Sequence, residues 1–445
     1  MTSFYKSFFI LLVPMALKEL IAAFINLLDT VMLGPLGTDI IAAVGIANQW
    51  YFLFTVVVFG MCGGAGVFAS QYWGAGDIKN MRKVLGINLM LVAGLSALFI
   101  LISVFAPQLI MAVFSEEKAV IGYGVKYLRI VCFSYVLSGI TAAYDMSLCC
   151  SEKANISFAA RFIGLIVNLA ANWILIYGKL GAPILGIEGA AIATVIARGT
   201  ELLVILGAVY GKKLIQAAAF SEMFTFEKGM LKKYFKAALP VTLNESAWAL
   251  GTITYSWVFS QVSTEALVVI TIVQNIERLL LVFFHGGGNA AGILVGKLVG
   301  SGDFDNAYKV SKRLCILNTV FSIAVAGVFI VIRPLVLIPY NVEPEILEKT
   351  LNILFLTALI MTVKALTFFF IVGVFRNGGD TNFAALIDIS SMWIIGVPCV
   401  LLAGLVFELP LEWIYVMMMS EEVAKLALSI WRFKSKKWIK NLVKT

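Results

Sequence analysis

Charged residues are scarce in this sequence. Of its 445 residues, 13% are charged and 61% are hydrophobic, and the mean hydropathy is +0.95. This composition excludes the charged surface of an ordinary soluble domain. The sequence also contains no G-x-x-x-x-G-K-[ST] segment, so it offers no phosphate-binding loop for ATP-driven chemistry. Any work that the protein performs is therefore expected to draw on an ion gradient.

Recognisable metal-binding patterns are also absent from the sequence. There is one histidine, and the six cysteines lie in or beside apolar stretches without the spacing of metal ligands. We interpret the cysteines as packing residues and expect no metal site beyond one for a monovalent cation. The cysteines are Cys62, Cys132, Cys149, Cys150, Cys315 and Cys399.

Long apolar stretches fill nearly the whole sequence. Each has about 20 residues or more, which is enough for a helix to cross the hydrocarbon core of a bilayer. The sequence therefore predicts an all-α membrane protein with twelve transmembrane helices. The first stretch is too long for a signal peptide and is expected to be retained. The predicted spans are 8–33, 40–70, 84–106, 121–148, 156–178, 184–210, 237–261, 265–296, 310–334, 345–375, 382–405 and 409–431.

One short motif is written twice, 226 residues apart. "GAGD" at 74–77 is repeated as "GSGD" at 300–303, and the same offset aligns Pro14 with Pro240 and Glu19 with Glu245. This register indicates a duplicated half of six helices, and an even number of helices makes the two repeats parallel, with a cavity between the bundles. We interpret each G-x-G-D as a tight turn whose aspartate caps or pairs nearby groups.

The repeat divides the chain into four predicted regions. These are an N-terminal six-helix bundle at 1–210, a linker at 211–236, a C-terminal six-helix bundle at 237–431 and a basic tail at 432–445. The linker sequence is compatible with an amphipathic segment on the membrane surface and equally with a loop that is basic only because of topology.

Basic residues are concentrated in alternate connections. The positive-inside rule then places the linker, the tail and both termini in the cytoplasm, with the helices in the cytoplasmic membrane. Because topology explains the net charge of +8, no nucleic-acid partner is expected. The basic positions are Lys79, Arg82, Lys83, Lys153, Lys212, Lys213, Lys228, Lys232, Lys233, Lys236, Lys309, Lys312, Arg313, Arg376 and the tail from Arg432 to Lys444.

Ionisable residues inside the predicted spans are candidates for function, because burying a charge in a membrane is costly. Asp29 has no basic residue close to it in sequence, and Glu245 aligns with Glu19 in the repeat. We predict that Asp29 and Glu245 take part in ion coupling. Lys364 and Asp388 are predicted second-lobe charges, pairing with each other or with Glu245, as a gate or as a structural bridge.

Polar residues on neighbouring spans extend this candidate site. Asn168 and Asn172 are four residues apart and share one helix face, and Thr194 lies on the next helix. Together with a carboxylate they would form an oxygen-rich site for a proton or a cation, although each alone is typical of helix–helix hydrogen bonding. His285, next to three glycines, is interpreted as a structural residue, with a proton relay as the alternative.

Several motifs together resemble the multidrug and toxic compound extrusion (MATE) family, in the superfamily that includes lipid-linked oligosaccharide flippases. They are "DTVMLGPLG", "GGAGVFASQYWGAGD", "GIEGAAIAT", "LPVTLNESAW", "FRNGGDTNF" and "RFKSKKWIKNL", and they span nearly all of the chain. The resemblance implies a V-shaped pair of six-helix bundles that exports organic cations in exchange for protons or sodium.

The resemblance also implies roles for individual residues. Asp29 matches the helix-one carboxylate of the family, and Asn168, Asn172 and Thr194 match the other polar positions of its N-terminal site. Many members have aspartate where this chain has Asn172. The second-half glutamate of some members lies at the position of Trp248, so Glu245 matches only a subgroup of the family.

Together these observations predict a secondary-active antiporter, not an enzyme, that exports amphiphilic cationic drugs or metabolites. Its coupling ion would be a proton or sodium, it would need no cofactor, and it would act as a monomer in the lipid bilayer. The alternatives are a flippase for a lipid-linked precursor and a membrane receptor or scaffold that transports nothing.

The predicted topology can be tested by cysteine labelling of intact cells. In a variant whose native cysteines are replaced by serine, Lys228→Cys should be protected from an impermeant maleimide because the linker faces the cytoplasm. Glu408→Cys, in a connection poor in basic residues, should be labelled and serves as the control. Labelling of Lys228→Cys from outside would overturn the orientation.

Overall fold

The computed structural model describes residues 2–340 and 343–444, and all regular secondary structure within these ranges is helical. Twelve long helical segments in the described ranges confirm the predicted fold class. They are α1 (Thr2–Leu33), α2 (Thr38–Ala75), α3 (Ile78–Phe105), α4 (Lys118–Val131 and Phe133–Cys150), α5 (Ala154–Tyr177), α6 (Gly186–Gly211), α7 (Lys228–Val262), α8 (Thr264–Ser301), α9 (Phe304–Leu337), α10 (Pro344–Arg376), α11 (Thr381–Val406) and α12 (Leu411–Lys434).

Most of these helices are long and apolar enough to cross a membrane. Within the described residues nine single helices qualify, and the two arms of α4, bent by 47° at Cys132, count as a tenth span. The sequence predicted α4 as one straight helix. Helices α7 and α12 are long enough but more polar, because they carry Glu245 and the buried pair Glu421 and Lys425.

The chain folds into two compact units. Unit 1 comprises Met1–Trp73 and Asp77–Phe235, and unit 2 comprises Gly74–Gly76 and Lys236–Thr445. Each unit has its own apolar core, which includes Met111 and Leu128 in unit 1 and Phe259 and Ile353 in unit 2.

The two G-x-G-D turns have the same local structure. Gly76 and Gly302 adopt φ values of +73° and +85°, a left-handed conformation that glycine tolerates best. In each turn the aspartate side chain then accepts hydrogen bonds from the backbone and side-chain amides of the asparagine three residues later. The backbone bonds measure 3.0 Å from Asn80 to Asp77 and 3.3 Å from Asn306 to Asp303. The motif is therefore a helix end followed by an N-cap, as the sequence indicated.

The connection between α6 and α7 packs against unit 1 instead of forming a loose linker. A short helix at Phe220–Phe224 buries Met223, whose backbone approaches α3 so closely at Gly86 that a side chain there would collide with it. Gln216 donates hydrogen bonds to the Ser147 carbonyl (3.0 Å) and to the Ser151 hydroxyl (2.9 Å) at the end of α4. Helix α7 begins at Lys228, nine residues before the predicted start at 237.

The chain after α12 folds back onto unit 2. We call residues 435–444 the C-terminal clasp. Trp438 is fully buried and stacks on Phe433, with ring centroids 5.8 Å apart. Asn441 donates to the Val299 carbonyl at the end of α8 (2.8 Å), and the Lys440 amide donates to the Gly378 carbonyl after α10 (2.7 Å). The clasp therefore ties together the ends of α8, α10 and α12.

Replacing Trp438 tests the contribution of the clasp. Trp438→Ala removes a fully buried ring, and such truncations cost about 3–5 kcal/mol in protein cores, so the unfolding temperature of the purified protein should fall clearly. Trp431→Ala, which removes a 58% exposed ring seven residues earlier, is the matched control and should have little effect. Equal unfolding temperatures for the two variants would contradict a structural role for the clasp.

Candidate ion-coupling site

In unit 1 the structure brings three of the predicted site residues together. The Asn172 side-chain amide in α5 donates to the Asp29 carboxylate in α1 (2.6 Å) and to the Asn168 amide oxygen (3.3 Å). Both asparagines are buried, at 2% and 1% exposure. Spacing of i and i+4 on α5 therefore places the two amides on the face that meets Asp29, as the sequence predicted.

The amide oxygen of Asn172 is buried and has no hydrogen-bond partner within the described part of the chain. A buried acceptor without a donor is costly, and such groups often mark a site that binds something else. This oxygen lies beside the Asp29 carboxylate because the amide nitrogen of the same side chain bonds to it. The arrangement can accept a proton donor or contribute an oxygen ligand to a small cation.

Thr194 reaches this group less directly. Its hydroxyl donates to the Ala190 carbonyl of its own helix (3.0 Å), and it interacts with the hydroxyl of Tyr127, which also interacts electrostatically with Asp29. Tyr127 was not predicted, because a single tyrosine in an apolar span gives no signal of function. It is the residue that connects Thr194 to the carboxylate.

Asp29 also has a basic neighbour that the sequence did not indicate. Arg198 in α6 pairs with Glu201 (2.9 Å), as its i,i+3 spacing predicted, and in addition interacts electrostatically with Asp29. Arg161 in α5 pairs with the other oxygen of Glu201 (3.1 Å). Asp29 has no basic residue close to it in sequence, but the fold adds an electrostatic interaction with Arg198 of α6.

Glu19 lies apart from this site. Its side chain is exposed, whereas Lys18 beside it forms a 2.5 Å ion pair with Asp145 in α4. Asp145 was not among the predicted residues, although a lone aspartate in "AAYDMSLCC" was a usable signal.

In unit 2 the predicted charges are present but pair differently. Glu245 pairs with Arg376 at the end of α10 (2.6 Å), Asp388 pairs with Lys425 in α12 (2.9 Å), and Lys364 pairs with Glu277 in α8. The predicted pairing of Lys364 with Asp388 or Glu245 was therefore wrong. Lys364 lies on the face of α10 that packs against α8. Its partner Glu277 lies inside an apolar span and was not among the predicted site residues.

These ion pairs belong to a larger group, the unit 2 charge network. Lys425 lies 3.4 Å from both Glu421 and Glu422, while the hydroxyls of Tyr255 and Thr367 donate to Glu421 (2.7 Å) and Glu422 (2.5 Å) respectively. Arg376 interacts with Asp388 as well, and Lys364 with Glu422, which links the pairs. The members of the network are Glu245, Glu277, Asp388, Glu421, Glu422, Lys364, Arg376 and Lys425.

The unit 2 charge network contains five carboxylates and three cations. All eight side chains are at most 17% exposed. Uncompensated negative charge in a low-dielectric interior is strongly disfavoured. Within this network the carboxylates outnumber the cations by two. Asn244 adds a buried amide oxygen that has no partner in the described ranges, while its nitrogen donates to Asp388 (3.0 Å).

His285 packs its ring against Phe368 of α10, with ring centroids 4.4 Å apart. This contact accounts for its position at the junction of α8 and α10.

Comparison with known proteins identifies the family. The sequence model of the MatE family matches residues 14–174 and again residues 240–402, and the two matches begin 226 residues apart, as the repeated motifs do. The chain is 25% identical to the uncharacterized transporter YisQ of Bacillus subtilis, covering 97% of this chain and 95% of that protein. It is 22% identical to the probable multidrug resistance protein NorM of Thermotoga maritima, covering 98% and 93%.

Solved structures share the fold. An aspartate-to-asparagine mutant of the Vibrio cholerae MATE transporter VcmN matches with a TM-score of 0.90 and 16% identity over 99% of this chain and 98% of that one. A MOP superfamily transporter from Pyrococcus furiosus matches with a TM-score of 0.88 and 17% identity over 99% and 97%. The protein is therefore a multi-pass membrane transporter and not an enzyme. Specifically, the chain belongs to the MatE family.

Exchanging charges tests the corrected pairing in unit 2. Lys364→Glu puts two carboxylates together, and breaking a buried pair typically costs about 3–5 kcal/mol, so the amount of folded protein should fall. Adding Glu277→Lys restores opposite charges and should recover much of it. The control combines Lys364→Glu with Asp388→Lys and should give no recovery. Rescue by Asp388→Lys instead would reinstate the earlier pairing.

Proposed function

We propose that this protein is a cation-coupled antiporter that exports amphiphilic, mostly cationic, small molecules across the cytoplasmic membrane. The observation that carries the proposal is the hydrogen bond between Asn172 and Asp29, with the buried amide oxygen of Asn172 left without a partner among the residues that the structure describes. Relatives named for multidrug resistance support the substrate class. Protons or sodium remain the two candidate coupling ions.

The chemistry of the Asp29 group suits reversible proton binding. An ionised carboxylate accepts a hydrogen bond from the Asn172 amide nitrogen, whereas a protonated carboxyl group needs an acceptor. Rotation of the amide about its terminal bond presents its oxygen instead, so the same asparagine can serve both states. A cationic substrate stabilises the ionised form, and the substrate and the proton would therefore compete for Asp29.

Sodium is the alternative ion for the same residues. Asp29, Asn168 and Asn172 supply the carboxylate and amide oxygens that hard cations prefer. A single carboxylate provides little charge for binding sodium, however. We therefore propose the proton as the coupling ion at this group.

A flippase for a lipid-linked precursor fits the structure less well. Recognition of a pyrophosphate needs cations that are free to bind it. Four buried cations of the two units, Lys18, Arg198, Lys364 and Arg376, are instead engaged by carboxylates of the protein. Cells that express the transporter yet show no efflux under any ion gradient would return attention to the flippase and the receptor.

Ethidium efflux provides the test of function and of the coupling residue. Wild-type protein should lower ethidium accumulation, and an uncoupler should abolish the effect. Asp29→Asn imitates the protonated state permanently, so it should fold normally but lose gradient-driven efflux. Asp39→Asn, which changes an exposed aspartate at the start of α2, is the matched control and should retain efflux.

The same assay separates the two units and the two ions. Glu245→Gln should reduce efflux less than Asp29→Asn does, since Arg376 and not a transported ion is its partner. Asn172→Asp adds a second carboxylate beside Asp29 and should increase dependence on sodium. Efflux is measured at fixed membrane potential while pH and sodium are varied separately. Retained pH-driven efflux in Asp29→Asn would remove Asp29 from the mechanism and direct attention to unit 2.

A further inference from the structure

The C-terminal clasp holds a set of lysines in fixed positions. The buried Trp438 ring, the Asn441 bond to the Val299 carbonyl and the Lys440 amide bond to the Gly378 carbonyl fix its backbone. Arg432 and Lys440 are committed to Asp380, at 2.6 Å and 2.5 Å. The other lysines between residues 432 and 444 have exposed side chains. They are Lys434, Lys436, Lys437 and Lys444.

The start of α9 continues this positive surface within unit 2. The Lys436 ammonium group lies 4.7 Å from the centre of the Tyr308 ring, and Tyr308 stacks on Phe433 at 5.1 Å. Within five residues after Tyr308, α9 exposes three more basic residues. We call the combined surface the basic face. Its members are Lys309, Lys312, Arg313, Lys434, Lys436, Lys437 and Lys444.

The basic face borders a surface that is suited to lipid chains. On α9, Ile316 is 56% exposed and Val320 is 62% exposed, only one and two turns beyond Lys312. On α12, Trp431 is 58% exposed one turn before Lys434. Tryptophan is typical of the level at which hydrocarbon meets headgroups. The cations of the basic face therefore lie where the phosphates of a bilayer would be.

We propose that the basic face binds the headgroups of anionic phospholipids. Negatively charged phosphodiesters complement its seven cations, and the adjoining apolar surface accommodates the acyl chains of the same lipids. Three acidic residues lie close to this surface: Asp303 is engaged as the N-cap of α9, Asp305 lies in the first turn of that helix, and Asp380 is paired with Arg432 and Lys440. The rigid clasp makes this a site of defined geometry, distinct from a flexible basic tail. The inference does not depend on the transported substrate or the coupling ion.

Lipid-dependent thermal stability of the purified full-length protein tests the proposal. Phosphatidylglycerol added to the protein in neutral detergent should raise its unfolding temperature more than phosphatidylcholine does. The triple variant Lys434→Gln, Lys436→Gln and Lys437→Gln should lose most of this difference. A control removes the same charge from unit 1 through Lys212→Gln, Lys213→Gln and Lys228→Gln, all at exposed positions, and should keep it.

An arginine variant and two further ligands complete the thermal-stability experiment. Replacing Lys434, Lys436 and Lys437 with arginine keeps the charge and should keep the response to phosphatidylglycerol. Equal losses in the clasp variant and the unit 1 control would overturn the proposal, since any positive charge would then serve. An equal rise with phosphatidylcholine, or with inorganic phosphate alone, would also overturn it, because a lipid with an anionic headgroup would not be required.

Discussion

The structure depends on the requirement that an ionised side chain inside a membrane have a partner of opposite charge. Lys18 pairs with Asp145, Glu245 with Arg376 and Lys364 with Glu277. In each case the partner is distant in sequence, so the pair fixes which helices must be neighbours. The first helix of each unit is thereby joined to the fourth, α1 to α4 and α7 to α10, with the signs of the two charges exchanged. Both units therefore have an ion pair between the first and fourth helices, but the positive and negative residues have changed places.

The two units also exchange residue types in a hydrogen bond between asparagine and aspartate. In unit 1 an aspartate on the first helix accepts from an asparagine on the fifth, and in unit 2 an asparagine on the first helix donates to an aspartate on the fifth. These are the Asp29–Asn172 and Asn244–Asp388 bonds, and in both the asparagine oxygen has no partner among the described residues. Asp388 also has Lys425 as a partner at 2.9 Å, whereas Asp29 relies mainly on amides. Of the two aspartates, Asp29 is thus the better placed to exchange a proton.

The sequence predicted most of the fold and only part of the site. Bilayer thickness dictates the length of apolar runs, so twelve helices could be counted, and the repeated G-x-G-D gave both turns correctly. Helical spacing placed Asn168 and Asn172 together because such faces are a local property. The partner of Lys364 was predicted wrongly, since that depends on how α8 and α10 are rotated against each other.

Lys425 lies among carboxylates of unit 2 that carry more negative charge than it can balance. Adjacent residues on a helix point about 100° apart, yet Lys425, three and four residues after Glu422 and Glu421, reaches both and also reaches Asp388. One ammonium group with three protons therefore serves three carboxylates, and Tyr255 and Thr367 supply the remaining donors. Three negative charges around one positive charge are not balanced by geometry alone. A proton held among these carboxylates reduces the excess negative charge from two to one, and the hydroxyl donors can reorient to accommodate it on either glutamate.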